Sequence, residues 1–175
     1  IPIGDGLAPG TLLGPLVSRG QHEKVLGFID RARAEKIPLL TGGGRPPGLD
    51  FGYFLAPTIF ADVPVASELW REEVFGPVLH VVRYRQDELP QLVAAINRTG
   101  YGLTHGIQTR IDETIDLIVG TIRAGNIYVN RNMIGAVVGV QPFGGEGLSG
   151  TGPKAGGPHY VTRFTKGAEP VHAKA

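Results

Sequence analysis

The chain has 175 residues and a mass of 18.6 kDa, with 42% hydrophobic and 19% charged residues, a balance that supports a sizeable core and excludes a disordered tail or a coiled coil. A formal net charge of +1 on scattered Lys and Arg residues gives this segment no footprint for nucleic acid, and no apolar run approaches the roughly 20 residues of a membrane helix. The 27 glycines and 14 prolines together make up 41 residues, about twice the usual share, and their clustering points to shaped loops.

The opening Ile1-Pro2-Ile3-Gly4-Asp5-Gly6 has no initiator Met, basic n-region or apolar h-region, so it is not a signal peptide and the expectation is a piece of a longer chain. Ser18-Arg19-Gly20-Gln21 reads as a capping box. The helix it opens repeats Val25, Phe28, Ile29 and Ala32 at helical spacing. Leu39-Leu40 is a short strand candidate ended by Thr41-Gly42-Gly43-Gly44, Tyr53 to Val63 reads as a strand weakened by Pro57, and Val78 to Tyr84 as a clearer one.

Asp87 can cap a second helix with Leu89, Leu92, Val93 and Ile96 apolar, closed at Gly100 or Gly102. Leu103 to Thr109 reads as a strand. Asp112 opens a third helix with Ile115, Ile118, Val119 and Ile122 on one side, closed at Gly125, before a short strand from Asn126 to Asn130. This alternation predicts an α/β fold with a mostly parallel sheet and flanking helices. From Asn132 to Gly157 the pattern dissolves into Gly-rich sequence, and a loop that long in a compact domain is usually functional. His159 to Thr165 resembles a last strand.

Gly145-Glu146-Gly147-Leu148-Ser149-Gly150 fits G-x-G-x-x-G literally. The dinucleotide fingerprint needs a following helix N-terminus for the pyrophosphate, and the two prolines and three glycines of the next eight residues do not start one, so the fingerprint is rejected. The five histidines (His22, His80, His105, His159, His172) have no i, i+4 pairing or acidic partner in register, so no metal site is expected. Arg71-Glu72-Glu73-Val74-Phe75-Gly76-Pro77-Val78 sets two carboxylates and a ring at a strand entrance, where ligands dock in open α/β sheets. Taken alone, these residues are better read as a solvated Glu pair and a core Phe, since acidic pairs are common on surfaces.

Glu72-Glu73-Val74-Phe75-Gly76-Pro77 resembles the E-E-V/I-F-G-P signature of the aldehyde dehydrogenase superfamily. Gly14-Pro15-Leu16-Val17, Gly52 to Phe60, Tyr101-Gly102-Leu103-Thr104 and Gly125 to Asn130 are similar to further motifs of that family. Gly135 to Gly145, with Ser149-Gly150-Thr151-Gly152 and Gly156 to Tyr160, most resembles delta-1-pyrroline-5-carboxylate dehydrogenase, in particular the module in bacterial proline utilisation A proteins. The resemblance implies the C-terminal part of an aldehyde dehydrogenase catalytic domain over residues 1–160, with an oligomerisation strand and tail over 161–175.

The implied reaction is NAD-dependent oxidation of L-glutamate gamma-semialdehyde to glutamate: a cysteine thiolate attacks the aldehyde, hydride passes to nicotinamide and water releases the acyl group. By the same resemblance Glu73 holds the nicotinamide-ribose hydroxyls, Phe75 packs near the nicotinamide, Gly135 and Ala136 anchor the substrate α-carboxylate through N–H groups, and Phe143 lies over its aliphatic segment. This sequence has no cysteine, and the resemblance implies that no catalytic residue lies in this chain. The nucleophile, the general base and the Rossmann half are expected from the rest of a parent chain, and the chain alone is expected to be inactive. FAD is implied only if that parent also has a proline dehydrogenase domain. A homo-oligomer in the cytoplasm is the expected setting. The alternative is a non-catalytic aldehyde-dehydrogenase-like module for oligomerisation or for covering a substrate tunnel.

Overall fold

The structure is a computed structural model that describes residues 1–137 and 139–165. Contacts divide it into two compact units, Ile1–Arg83 and a second from Tyr84 onward.

In the first unit, helix α1 spans Arg19–Ala34 and buries the four residues its periodicity singles out, Val25, Phe28, Ile29 and Ala32. Ser18 caps it, its Oγ accepting from the Gln21 N–H at 3.2 Å. Only half of the expected capping box forms, because the Gln21 side chain is engaged elsewhere. The helix stops in a Schellman motif in which Lys36 takes φ 59° and the Ile37 N–H returns to the Ala32 carbonyl at 3.0 Å. Buried Ile37 then joins Leu55, Phe60, Val63, Leu69 and Val74 around the buried face of α1.

Strands β1 (Leu39–Thr41), β2 (Thr58–Phe60) and β3 (Val78–His80) form a small sheet in that order. The one-turn helix α2 (Glu68–Arg71) lies between β2 and β3, which pair parallel; β1 and β2, joined by a Gly- and Pro-rich segment with no helix, pair antiparallel. The buried Thr58 hydroxyl ties this sheet together, accepting from the Gly43 N–H and donating to the Ala56 carbonyl, both at 2.8 Å.

In the second unit a 3-10 turn at Gln86–Glu88 leads into α3 (Leu89–Arg98). Asp87 does not cap it. The Glu88 carboxylate accepts the Arg85 N–H instead, and Asp87 pairs with the Arg85 guanidinium. Strands β4 (Tyr101–Gly102) and β5 (Thr104–Ile107) follow, then α4 (Asp112–Thr121) and β6 (Asn126–Val129). β5 and β6 pair parallel across the α4 crossover, over a core of Leu89, Val93, Ile107, Ile118 and Ile122. Val119 is 44% exposed and leaves the apolar side expected for α4, and the helix ends at Thr121, ahead of Gly125. Asn97 joins the two helices, its amide donating to the Thr121 carbonyl and accepting from the Arg123 N–H, both at 2.8 Å.

Two expectations are corrected. The sheet is not mostly parallel: among the described residues three small sheets contain two parallel and two antiparallel pairings, because β1 is joined to β2 without a helix and β7 (Glu146–Gly147) runs back along β4 from the long loop after β6, so neither pair is a single strand–helix–strand crossover. The terminal strand is not formed either. Val161–Phe164 is a 3-10 turn whose Arg163 and Thr165 N–H groups bond locally to Tyr160 and Thr162. A strand needs a neighbouring edge, and among the described residues none pairs with this segment. Lys166 and the tail beyond it lie outside the described residues.

Candidate functional site

The first unit sets out the turn from Glu72 to Pro77. Glu72 ends α2, its N–H bonding the Glu68 carbonyl at 3.0 Å, while Val74 is buried in the core. Both carboxylates, Glu72 and Glu73, are exposed. Phe75 is not a core residue: it is 71% exposed and takes φ 55°, a left-handed conformation that costs a non-glycine residue about 1–2 kcal/mol. Two contacts with α1 hold the turn in place. The Gln21 Nε2 donates to the Val74 and Phe75 carbonyls at 3.2 and 2.9 Å, and Gly76 lies so close that a Cβ there would meet Val25 Cγ2 at 2.8 Å. Gly76 is therefore a close-approach glycine. The result is a carboxylate and a ring presented to solvent from a backbone pinned on both sides.

Sequence reasoning singled out Gln21 only as a capping residue. The signal for its second role was present but ambiguous, since a Gln three residues after a cap can reach back or outward.

The second unit carries Gly135, Ala136 and Phe143. Gly135 takes φ 68°, the region glycine tolerates. The N–H groups on either side of the pair are occupied, Ile134 by the Asn132 side chain at 2.7 Å and Val137 by the Gln141 side chain at 3.4 Å. Those of Gly135 and Ala136 have no protein acceptor among the described residues. Two adjacent donors of this kind suit an anion. Ala136 and Phe143 line one cavity of about 300 Å³ with Gly139, Gln141, Ala155 and Gly156; Gly135 does not line it. The structure thus brings Ala136 and Phe143 together, and describes Glu73 and Phe75 within the other unit.

The G-x-G-x-x-G stretch has a structural explanation. Gly145 and Gly150 pack so tightly that a Cβ on either would lie 2.6 Å from the other strand of the loop, at Ser149 O or Gly145 O. Ser149 Oγ accepts the Gly102 N–H at 3.0 Å, and β7 pairs antiparallel with β4. The glycines serve this crossing, and no α-helix follows them among the described residues. His80 and His105 are both held below the ordinary imidazole range by burial. Among the described residues no cluster of three His, Asp or Glu residues is spaced for a metal ion, and no helix is long and apolar enough to cross a membrane.

The first unit carries an exposed carboxylate on a core-anchored turn and the second a Gly-rich loop, and a model of the aldehyde dehydrogenase family matches residues 1–168: the chain belongs to that family. It is 64% identical over 164 residues to the bifunctional protein PutA of Escherichia coli (strain K12), covering 89% of this chain and 12% of that protein. The fold superposes on Bradyrhizobium japonicum proline utilization A with a TM-score of 0.84 at 51% identity, over 94% of this chain and 16% of that one. A Thermus 1-pyrroline-5-carboxylate dehydrogenase solved with bound NAD gives a TM-score of 0.78 at 43% identity, over 87% of this chain and 28% of that one. The chain therefore spans a minor part of the length of each relative.

Proposed function

We propose that each unit of this chain supplies one binding element of an NAD-dependent L-glutamate gamma-semialdehyde dehydrogenase, the rest of a parent chain supplying the nucleophilic cysteine, the base and the Rossmann half. The balanced reaction takes aldehyde, NAD⁺ and water to carboxylate, NADH and two protons. NAD, when bound, supplies the acceptor for the aldehyde's hydride. Glu73 offers two carboxylate oxygens to the two hydroxyls of a ribose, a match of acceptors to a vicinal diol, and the exposed Phe75 ring lies two residues on as an apolar surface for the nicotinamide. Gly135 and Ala136 donate N–H groups to the substrate α-carboxylate, and Phe143 covers the carbon chain between carboxylate and aldehyde. The exposed Val161 and Phe164 side chains support a role in contacts between copies for 161–175.

The observation that carries the substrate assignment is the pair of N–H donors at Gly135 and Ala136 that meet no acceptor among the described residues, with Ala136 on the wall of the cavity that Phe143 also lines. The test is Ala136→Pro in the longer protein, which deletes one donor and stiffens the loop. The KM for glutamate semialdehyde should rise about tenfold or more, as expected for losing a hydrogen bond to a charged group, with that for an uncharged short aldehyde and the NAD affinity nearly unchanged. Loss of NAD affinity with unchanged aldehyde preference would mean that the loop cradles the cofactor instead.

A further inference from the structure

We infer that Asn126 is a positioning residue of the substrate cavity: its side-chain amide grips the backbone on both sides of Phe143 and fixes where that ring stands. The inference rests on the assignment of Phe143 to the substrate. Asn126 opens β6, which is tied in parallel register to β5 through the Thr104–Asn126 pair. Its Nδ2 donates to the Pro142 carbonyl at 2.9 Å, and its Oδ1 accepts from the Gly144 N–H at 3.3 Å. Phe143 exchanges both of its own backbone bonds with Ala155, at 3.0 and 2.9 Å, and Ala155 lines the same cavity.

These four bonds form the pattern of a central strand. The N–H and C=O of one residue point to one side, and the flanking C=O and N–H point to the other. Ala155 is the neighbour on one edge of the 142–144 segment, and the Asn126 amide stands in for the neighbour on the other. A primary amide can do so because it carries a donor and an acceptor in one plane, which a hydroxyl or a carboxylate does not. Gly125 lets the loop come within reach of so short a side chain: a Cβ there would lie 1.7 Å from the Gly144 carbonyl oxygen. Asn126 does not itself line the cavity. Its effect passes through Phe143, whose contact with a short carbon chain depends on the ring's placement to within a few tenths of an ångström.

The experiment uses the longer protein with Asn126→Ala, which removes both bonds, Asn126→Asp, which keeps the acceptor but faces the Pro142 carbonyl with a carboxylate oxygen, and Phe143→Ala. Asn126→Ala should raise the KM for glutamate semialdehyde about tenfold, within the range for two neutral hydrogen bonds, and Asn126→Asp by a similar factor, since it loses one bond and sets a carboxylate against a carbonyl. The NAD dissociation constant and kcat/KM for propionaldehyde should stay within about twofold. Should Asn126→Ala fail to fold, the near-isosteric Asp variant carries the test. Equal losses on both aldehydes with a lowered Tm would overturn the inference in favour of a purely structural amide. Unchanged selectivity in the Asn126 variants, with Phe143→Ala altering it, would overturn the inference alone. Unchanged selectivity in Phe143→Ala would overturn the substrate assignment and this inference with it.

Discussion

In the turn at 72–77, fixed points follow one another within three residues: Val74 is buried, the Val74 and Phe75 carbonyls are held by Gln21, and Gly76 rests on Val25. The loop at 132–157 is several times longer, and its Phe143 segment is held by the bridge to Ala155 and the Asn126 amide. The turn has a hydrophobic core beneath it as well as one side-chain amide, whereas the Phe143 segment of the loop relies on a side-chain amide and a backbone bridge. A ring held at φ 55° persists only where its surroundings over-determine it. Core packing resists a single substitution better than an amide bridge does, because it spreads the load over many weak contacts. The turn proposed to meet the cofactor should therefore lose little on removal of one hydrogen bond, and the loop proposed to meet the substrate should lose selectivity when one amide is removed.

The largest effect tests what both regions lack. Neither carries a thiol nucleophile, so the 175-residue chain alone should form no NADH from glutamate semialdehyde, followed by absorbance under conditions in which the longer protein turns over. Turnover that copurifies with the isolated chain would remove the need for any partner segment.

Next in size is Glu73→Ala in the longer protein, which should weaken NAD binding by about 1–3 kcal/mol, the range for a hydrogen-bonding charged group. Glu72→Ala, one residue away and equally exposed, should change it by less than about 0.5 kcal/mol, as ordinary surface substitutions do. Equilibrium titration of NAD checks both, and equal effects would leave the non-catalytic module as the better reading.

A smaller effect separates the two roles of Gln21. Gln21→Ala frees both the Val74 and Phe75 carbonyls and should raise the NAD dissociation constant about fivefold, less than the full worth of two hydrogen bonds because the buried Val74 still anchors the turn. Ser18→Ala removes the cap of the same helix at a cost of about 1 kcal/mol in stability and should leave NAD affinity alone. If the Ser18 variant loses as much affinity, the turn is coupled to the helix as a whole and not through Gln21.

The smallest effect concerns pH. Burial holds the His80 ring below its ordinary value of 6.5, and its Nδ1 is buried without a partner. The unfolded chain then binds that proton more readily than the folded one. The His80 contribution to stability is full above the unfolded value and declines as pH falls from there toward the folded value. Nuclear magnetic resonance of the ring should show a midpoint below 6.5, and His80→Phe should flatten the fall in Tm between about pH 7 and pH 5. An ordinary midpoint would mean that water reaches the ring.

Local pattern in the sequence sufficed for much of this. The four buried positions of α1, the Ser18 cap, the α4 crossover between two parallel strands and the absence of any thiol nucleophile follow from periodicity, capping chemistry and composition, all of which act within a few residues. Resemblance to family motifs singles out Glu73, Ala136 and Phe143 as candidates. The antiparallel pairing of β1 and β7, the 3-10 turn at Val161–Phe164, the exposure of Phe75 and Val119, and the second duties of Gln21 and Asn126 were decided only by tertiary structure. Each depends on which edge, carbonyl or side chain the folded chain brings alongside from dozens of residues away. A glutamine amide has the same donors wherever it stands, and the fold alone determines that two carbonyls of a strained turn lie within 3.2 Å of it.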